Sequence, residues 1–319
     1  MIDLINAWRN VWHHSLATTQ KMPLTEKDPG ERVSYPYPLK KIRVNHDIDI
    51  AYTEVGPQNG QTLVFIHGLA SGLPVWRKNI QKLKTKYRCI AIDLPGHGYS
   101  SDGSLPYNMN FYADVVLGFL NTLRLSNATL IGHSMGGQIA VIAALKRPDL
   151  VRSLVLAAPS GLEPYTVLER QILINLTAGM VASGNVFTHN RINQFLGFCE
   201  NQKDAGEFIS WLTYRKNDAF SLGKIMLRSI EAMLLEGVNG VINKLQCPCL
   251  ILVGRKDQIS PYPLFRGKNF ADVLALESTK IPNCKLIIFP QASHFFQYQN
   301  PELFNKEVKE FLSEKPIQV

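Results

Sequence analysis

Gly132-His133-Ser134-Met135-Gly136-Gly137 is the stretch on which the reading of this chain turns. Ala128-Thr129-Leu130-Ile131 precede it, apolar enough for a strand buried on both faces, and a helical pattern follows from Met135 to Arg147. The hexapeptide therefore stands where a strand must turn sharply into a helix, the context that gives a G-x-S-x-G pattern its meaning. The physics is steric. The serine takes the apex in a strained conformation, and glycines on either side let the backbone pass close by. The new helix then aims its first N–H groups at the apex, where they favour developing negative charge. A serine here could simply cap the helix. The residues found further along the chain favour a nucleophile.

Outward from this point the same alternation continues. Strand-like apolar runs lie at 39–46, 49–55, 62–67, 87–93, 128–133, 151–158, 248–254 and 284–290. Helical spacing appears at about 75–84, 107–124, 135–147, 263–276 and 302–313. Strands alternating with helices specify an α/β fold. The expected architecture is a mostly parallel sheet of eight strands with helices on both faces. The runs LVFIHG, CIAIDL, ATLIGH, SLVLAA and CLILVG are almost wholly apolar, as doubly covered strands should be.

The alternation fails between residues 163 and 245, a stretch of helical pattern rich in Leu, Ile, Phe and Met. Inserted between the sixth and seventh strands, it is expected to form a helical cap over the sheet's carboxyl edge, where ligands bind in open α/β sheets. The α/β core then comprises 39–162 and 246–319. Residues 1–38 form an amphipathic N-terminal helix and a proline-bearing linker. In residues 1–16, Ile2, Leu4, Ile5, Trp8, Val11, Trp12 and Leu16 recur at helical spacing. Such a segment either packs as a helix on its own domain, docks as a peripheral contact on a membrane surface or another chain, or stays disordered.

A serine hydroxyl needs a base to take its proton and a carboxylate to orient that base, in the chain order Ser, acid, His. His294, in Gln291-Ala292-Ser293-His294-Phe295-Phe296, follows the last strand and so emerges at the carboxyl edge. Asp257, in Val253-Gly254-Arg255-Lys256-Asp257, emerges there one strand earlier; Glu163, after the sixth strand, is the fallback acid. His67, His97 and His133 are weaker bases, since histidines beside glycines in loops usually bond the backbone. His67-Gly68-Leu69 follows the third strand. The N–H groups of Leu69 and Met135 are expected to form an oxyanion hole, and Gly68 to let the backbone approach the substrate carbonyl. Gly68, His133, Phe295 and, in the cap, Trp211 are the residues expected to touch substrate.

Composition narrows the classes. With 319 residues, 45% hydrophobic and 19% charged, the chain is a globular protein with a large core. Its formal charge of +8 is scattered. The densest runs, Lys82 to Arg88 and Lys40 to Arg43, lack the interleaved aromatics of a nucleic-acid groove, so no nucleic-acid partner is expected. Five cysteines without a disulfide spacing suit reduced thiols in a cytoplasmic compartment. Cys247-Pro248-Cys249 reads as buried packing at a strand start. No run reaches the roughly 20 apolar residues of a membrane span, and Asp3 sits where a secretory signal would be positive.

These motifs together resemble the α/β-hydrolase superfamily, and within it the capped esterases, lipases and carbon–carbon bond hydrolases. The resemblance rests on His67-Gly68-Leu69-Ala70-Ser71, Asp93-Leu94-Pro95-Gly96-His97-Gly98-Tyr99-Ser100, the hexapeptide at 132–137, Gly254 to Asp257, and Ser293-His294. It covers about 40–162 and 246–314. Haloalkane dehalogenases and epoxide hydrolases carry aspartate where this chain has Ser134, so their chemistries are disfavoured. Carbon–carbon hydrolases of ring-cleavage products usually carry Asn before the serine and Trp after the histidine; here His133 and Phe295 stand there. The resemblance implies a serine hydrolase, with no cofactor and no metal, acting on a small-molecule ester. Aromatics crowd the cap: Tyr165, Phe187, Phe195, Phe198, Phe208, Trp211, Tyr214 and Phe220. They point to a medium-sized, largely apolar acyl group. The alternatives are carbon–carbon, thioester or lactone hydrolysis on the same triad, or a slow-turnover ligand receptor on this fold.

Overall fold

A computed structural model describes residues 37–44, 48–182, 219–257, 259, 267 and 269–314. The expected amphipathic helix at 1–16 and Trp211 lie outside them, as do residues 183–218 of the insertion.

All eight strands form, within a residue or two of the expected bounds. They are β1 (Leu39–Val44), β2 (Ile48–Val55), β3 (Thr62–Ile66), β4 (Arg88–Ile92), β5 (Ala128–His133), β6 (Val151–Ala157), β7 (Cys249–Gly254) and β8 (Cys284–Phe289). They make one sheet in the order β1-β2-β4-β3-β5-β6-β7-β8. β1 and β2, and β2 and β4, pair antiparallel. From β4 through β8 every pair is parallel. The carboxyl ends of β3, β5, β6, β7 and β8 therefore share one edge.

The described helices are α1 (Arg77–Leu83), α2 (Met109–Thr122), α3 (Met135–Lys146), α4 (Val167–Ala182), α5 (Ala219–Leu235), α6 (Phe270–Ser278), α7 (Phe296–Gln299) and α8 (Pro301–Ser313). A 3-10 turn at Leu73–Trp76 leads into α1. Of the helix expected at 263–276, the described part is α6, which runs two residues further.

Alternation along each strand explains why the strands read as unbroken apolar runs. Val64, Ile66, Ile90, Ile92, Leu130, Leu154 and Leu156 face one core, shared with α2 and α3. Leu63, Phe65, Cys89, Ala91, Ile131, Val155 and Ala157 face the other, built on Trp76, Ile80, Phe304 and Val308. Each strand thus feeds two cores at once, and burying each large side chain contributes about 1.5–3 kcal/mol. Cys247 and Cys249 are buried as expected.

α4 and α5 follow β6 and precede β7. Tyr165 and Leu173 pack with Val273 of α6. α5 is tied to α3 by Gln138, a buried glutamine whose Nε2 donates to the carbonyls of Met233 (3.2 Å) and Glu236 (2.9 Å). No helix among the described residues is long and apolar enough to cross a membrane.

Candidate active site

Ser134 has φ +52° and ψ −119°, a conformation that L residues rarely hold. Such a residue costs on the order of 1–3 kcal/mol and persists only where its surroundings over-determine it. Here they do. The Ser134 N–H donates to Ala157 O at 2.9 Å. Its carbonyl accepts from the N–H groups of Gly137 (2.9 Å), Ser160 (3.1 Å) and Gln138 (3.3 Å). The flanking glycines answer a spatial demand. A Cβ on Gly132 would run into the Gly136 carbonyl, and one on Gly136 would lie 2.5 Å from the His67 carbonyl oxygen. Met135 opens α3, so its N–H has no partner in the helix.

His294 and Asp257 meet. His294 Nδ1 lies 2.7 Å from Asp257 Oδ2, both residues being buried. Asp257 Oδ1 accepts from the Ile259 N–H at 3.0 Å. A carboxylate only accepts, so Nδ1 carries the proton and Nε2 of the neutral ring is left as an acceptor. The loops bearing the two residues are joined by main chain. Arg255 N–H donates to Phe289 O and Lys256 N–H to Ala292 O, each at 2.9 Å. Glu163, the alternative acid, instead accepts from the N–H of Gly161 at 3.0 Å.

The third loop closes on the same point. A Cβ on Gly68 would stand 3.1 Å from Ser134 Cβ and 3.0 Å from His133 Nδ1. Gly68 and the Leu69 that follows therefore lie against the turn bearing Ser134. This loop is braced by a histidine. The Leu94 N–H donates to His67 Nε2 at 2.9 Å, so the proton is on Nδ1, which donates to Gly68 O at 2.7 Å. Asp93 holds the neighbouring backbone, accepting from Leu73 N–H (2.8 Å) and Tyr99 N–H (3.1 Å). His97 bonds the Pro95 carbonyl at 3.2 Å. These three histidine and aspartate side chains act on backbone, as the glycine-rich runs around them suggested for the histidines. The bracing by Asp93 and the bond from Ser160 to the turn were not read from the sequence. The charged residue inside the Asp93-Leu94-Pro95-Gly96 run was the available signal.

His133 was expected to face substrate, but its side chain is fully enclosed. Its ring lies 4.7 Å from that of His294 and 4.6 Å from that of Phe295. The burial itself, and the neighbouring His294, hold its pKa well below the usual histidine value. Phe295 is also buried, its ring beside those of both histidines. Among the described residues no three His, Cys, Asp or Glu side chains converge as metal ligands.

The fold agrees with what other proteins show. The family model described as "alpha/beta hydrolase fold" matches residues 61–301. The chain belongs to that family and is a hydrolase. It is 28% identical to 2-(acetamidomethylene)succinate hydrolase of Mesorhizobium japonicum, over 80% of this chain and 88% of that one. It is 26% identical to a bifunctional esterase/perhydrolase of Acinetobacter calcoaceticus, over 85% and 98%. Among solved structures, a probable hydrolytic enzyme of Pseudomonas aeruginosa superposes with a TM-score of 0.76 at 26% identity, covering 88% of this chain and 96% of that one.

Proposed function

We propose that this hydrolase cleaves carboxylic esters of medium size and largely apolar character through an acyl-enzyme on Ser134. The observation that carries the reading is the 2.7 Å contact between His294 Nδ1 and Asp257 Oδ2 at the sheet edge where Ser134 is held in a strained turn. His294 Nε2 takes the hydroxyl proton as Ser134 Oγ attacks the ester carbonyl. The N–H groups of Leu69 and Met135 receive the developing oxyanion. The tetrahedral adduct collapses, His294 hands the proton to the leaving alcohol, and the acyl group stays on Oγ. Water, deprotonated by the same ring, then releases the acid. Asp257 remains ionised throughout and stabilises the imidazolium.

Residues 163–245 serve as the cap that selects substrate, with Gly68 at the floor. The esterase activity in the name of the Acinetobacter relative supports the ester reading. The Mesorhizobium relative, named for a different hydrolysis, keeps other bonds on the same triad as the second reading.

The test is labelling with a fluorophosphonate. Wild type labels and Ser134→Ala does not; equal labelling in both sinks the assignment. A panel of p-nitrophenyl esters then reads the acyl pocket. Activity is expected to rise from acetyl to medium chains, and activity confined to acetyl refutes the apolar pocket.

A further inference from the structure

We propose that His133 is a positioning residue for the base: its Nε2–H pins the main chain of His294 to the strand end that carries Ser134. The proposal rests on His294 being the base, as above. His133 Nε2 lies 3.1 Å from the carbonyl oxygen of His294. A carbonyl can only accept, so this nitrogen carries the proton and Nδ1 is bare. Nδ1 is buried and has no hydrogen-bond partner among the described residues.

That arrangement is unfavourable as packing alone. The buried ring lies beside those of Phe295 at 4.6 Å, His294 at 4.7 Å and Trp76 at 6.5 Å. A leucine or phenylalanine would fill the space without leaving Nδ1 unpaired, but it would take this donor from the buried His294 carbonyl. Among the described residues, the one hydrogen bond the ring makes is that to His294. Residues that break a local packing rule concentrate where function constrains them.

The bond ties the histidine loop to the end of β5, between two contacts that tie it to other segments. Upstream, the Ala292 carbonyl accepts from Lys256 N–H at 2.9 Å. Downstream, the Gln297 carbonyl accepts from Asn79 Nδ2 at 2.9 Å. Between these anchors, the His294 carbonyl is held by His133. Since His133 directly precedes Ser134, one side chain sets the spacing between the nucleophile's turn and the base's backbone. Asp257 fixes how the imidazole is rotated; His133 fixes where it stands. The ring is neutral, so it adds no second cation when His294 becomes imidazolium.

The experiment uses the full chain with three substitutions. His133→Leu and His133→Phe remove the donor and keep the bulk. His133→Gln restores an N–H near the Nε2 position. kcat and KM on a p-nitrophenyl ester, the rate of fluorophosphonate labelling and the unfolding temperature are measured for each. Misplacement of a reacting group by about 1 Å costs about 100-fold. Leu and Phe are therefore expected to lower kcat by about 10- to 100-fold, with KM within about twofold, and to slow labelling by the same factor. Gln is expected to recover most of that loss. If either apolar variant folds and keeps kcat within about twofold of wild type, the proposal is overturned. It is equally overturned if Gln folds and loses as much as the apolar variants, and should neither of those fold, Gln decides alone, with kcat within about fivefold of wild type supporting the brace. The two readings fail separately. Labelling of Ser134→Ala removes the triad itself, whereas an unlabelled Ser134→Ala beside an unaffected His133→Leu removes only the brace.

Discussion

Asp257→Asn is the perturbation whose outcome the geometry defines most sharply. The replacement is isosteric, and the structure decides how the new amide must sit. Ile259 N–H needs its acceptor 3.0 Å away at Oδ1, so the amide oxygen stays there and the amide nitrogen faces His294 Nδ1. An N–H aimed at Nδ1 forces the imidazole proton onto Nε2, where it can no longer receive the serine proton. The charge is lost as well. A carboxylate and an imidazolium with centres about 4 Å apart interact by roughly 4 kcal/mol at an effective dielectric of about 20. At 1.36 kcal/mol per decade this corresponds to about 10³-fold in rate. With the wrong tautomer added, kcat on a p-nitrophenyl ester is expected to fall by about 10³- to 10⁴-fold. The unfolding temperature should shift little, because shape and the Ile259 bond survive. Steady-state kinetics at neutral pH, with a thermal melt of the same preparation, give both numbers. A folded variant within about tenfold of wild type would refute the reasoning.

Other consequences follow from packing and charge. Gly136→Ala forces a methyl against the carbonyls of Ile66 and His67, so β3 or α3 must move. Fluorophosphonate labelling should collapse together with a lowered unfolding temperature, and normal labelling would contradict the close approach. Phe304→Ala empties a fully buried site whose ring lies 6.0 Å from those of Trp76 and Phe296. The expected cost is about 3–5 kcal/mol by denaturant unfolding, and a loss under about 1 kcal/mol would mean the cavity collapses freely. Burial works to raise the Glu54 carboxyl, yet hydrogen bonds from Lys40 and Arg88 leave it below its usual 4.5. A lowered value stabilises the fold above 4.5 and loses that contribution as pH falls through the folded value. Glu54→Gln should therefore lower stability at neutral pH while flattening its decline in acid; parallel pH curves for the two proteins would argue against the pairing.

The sequence conveyed the parts of the site that are set by local geometry. The turn at Ser134 is legible because only glycines tolerate the approach of Gly132 to Gly136 and of Gly136 to β3. Asp257 and His294 are legible because parallel strands deliver whatever follows them to one edge. Whether a side chain there looks outward or inward is another matter. His133 beside the nucleophile reads as a substrate contact, and the fold turns it under the sheet edge instead. Strand alternation puts it on the face of Ile131, toward the core of Trp76 and Phe295, where β8's loop encloses it. Glu163 and Asp257 look equivalent in sequence, each an acid shortly after a strand, until Glu163 is seen spending its carboxylate on Gly161. Asp93 has no pattern of its own, because it serves backbone amides at 73 and 99 that are distant in the chain.

The turn at Ser134 is held by a donor bond to the end of β6 and by three acceptor bonds from residues on two different segments. The bond to Ala157 ties the turn to β6, those from Gly137 and Gln138 tie it to α3, and that from Ser160 ties it to the segment after β6. The reactive serine thus has no private equilibrium in which it could relax. Heat or denaturant that frees it has already parted β5 from β6 and opened both cores. Loss of the turn's geometry and loss of the sheet are therefore expected to coincide. A thermal inactivation curve is expected to follow the melting curve, and inactivation well below the melt would refute this.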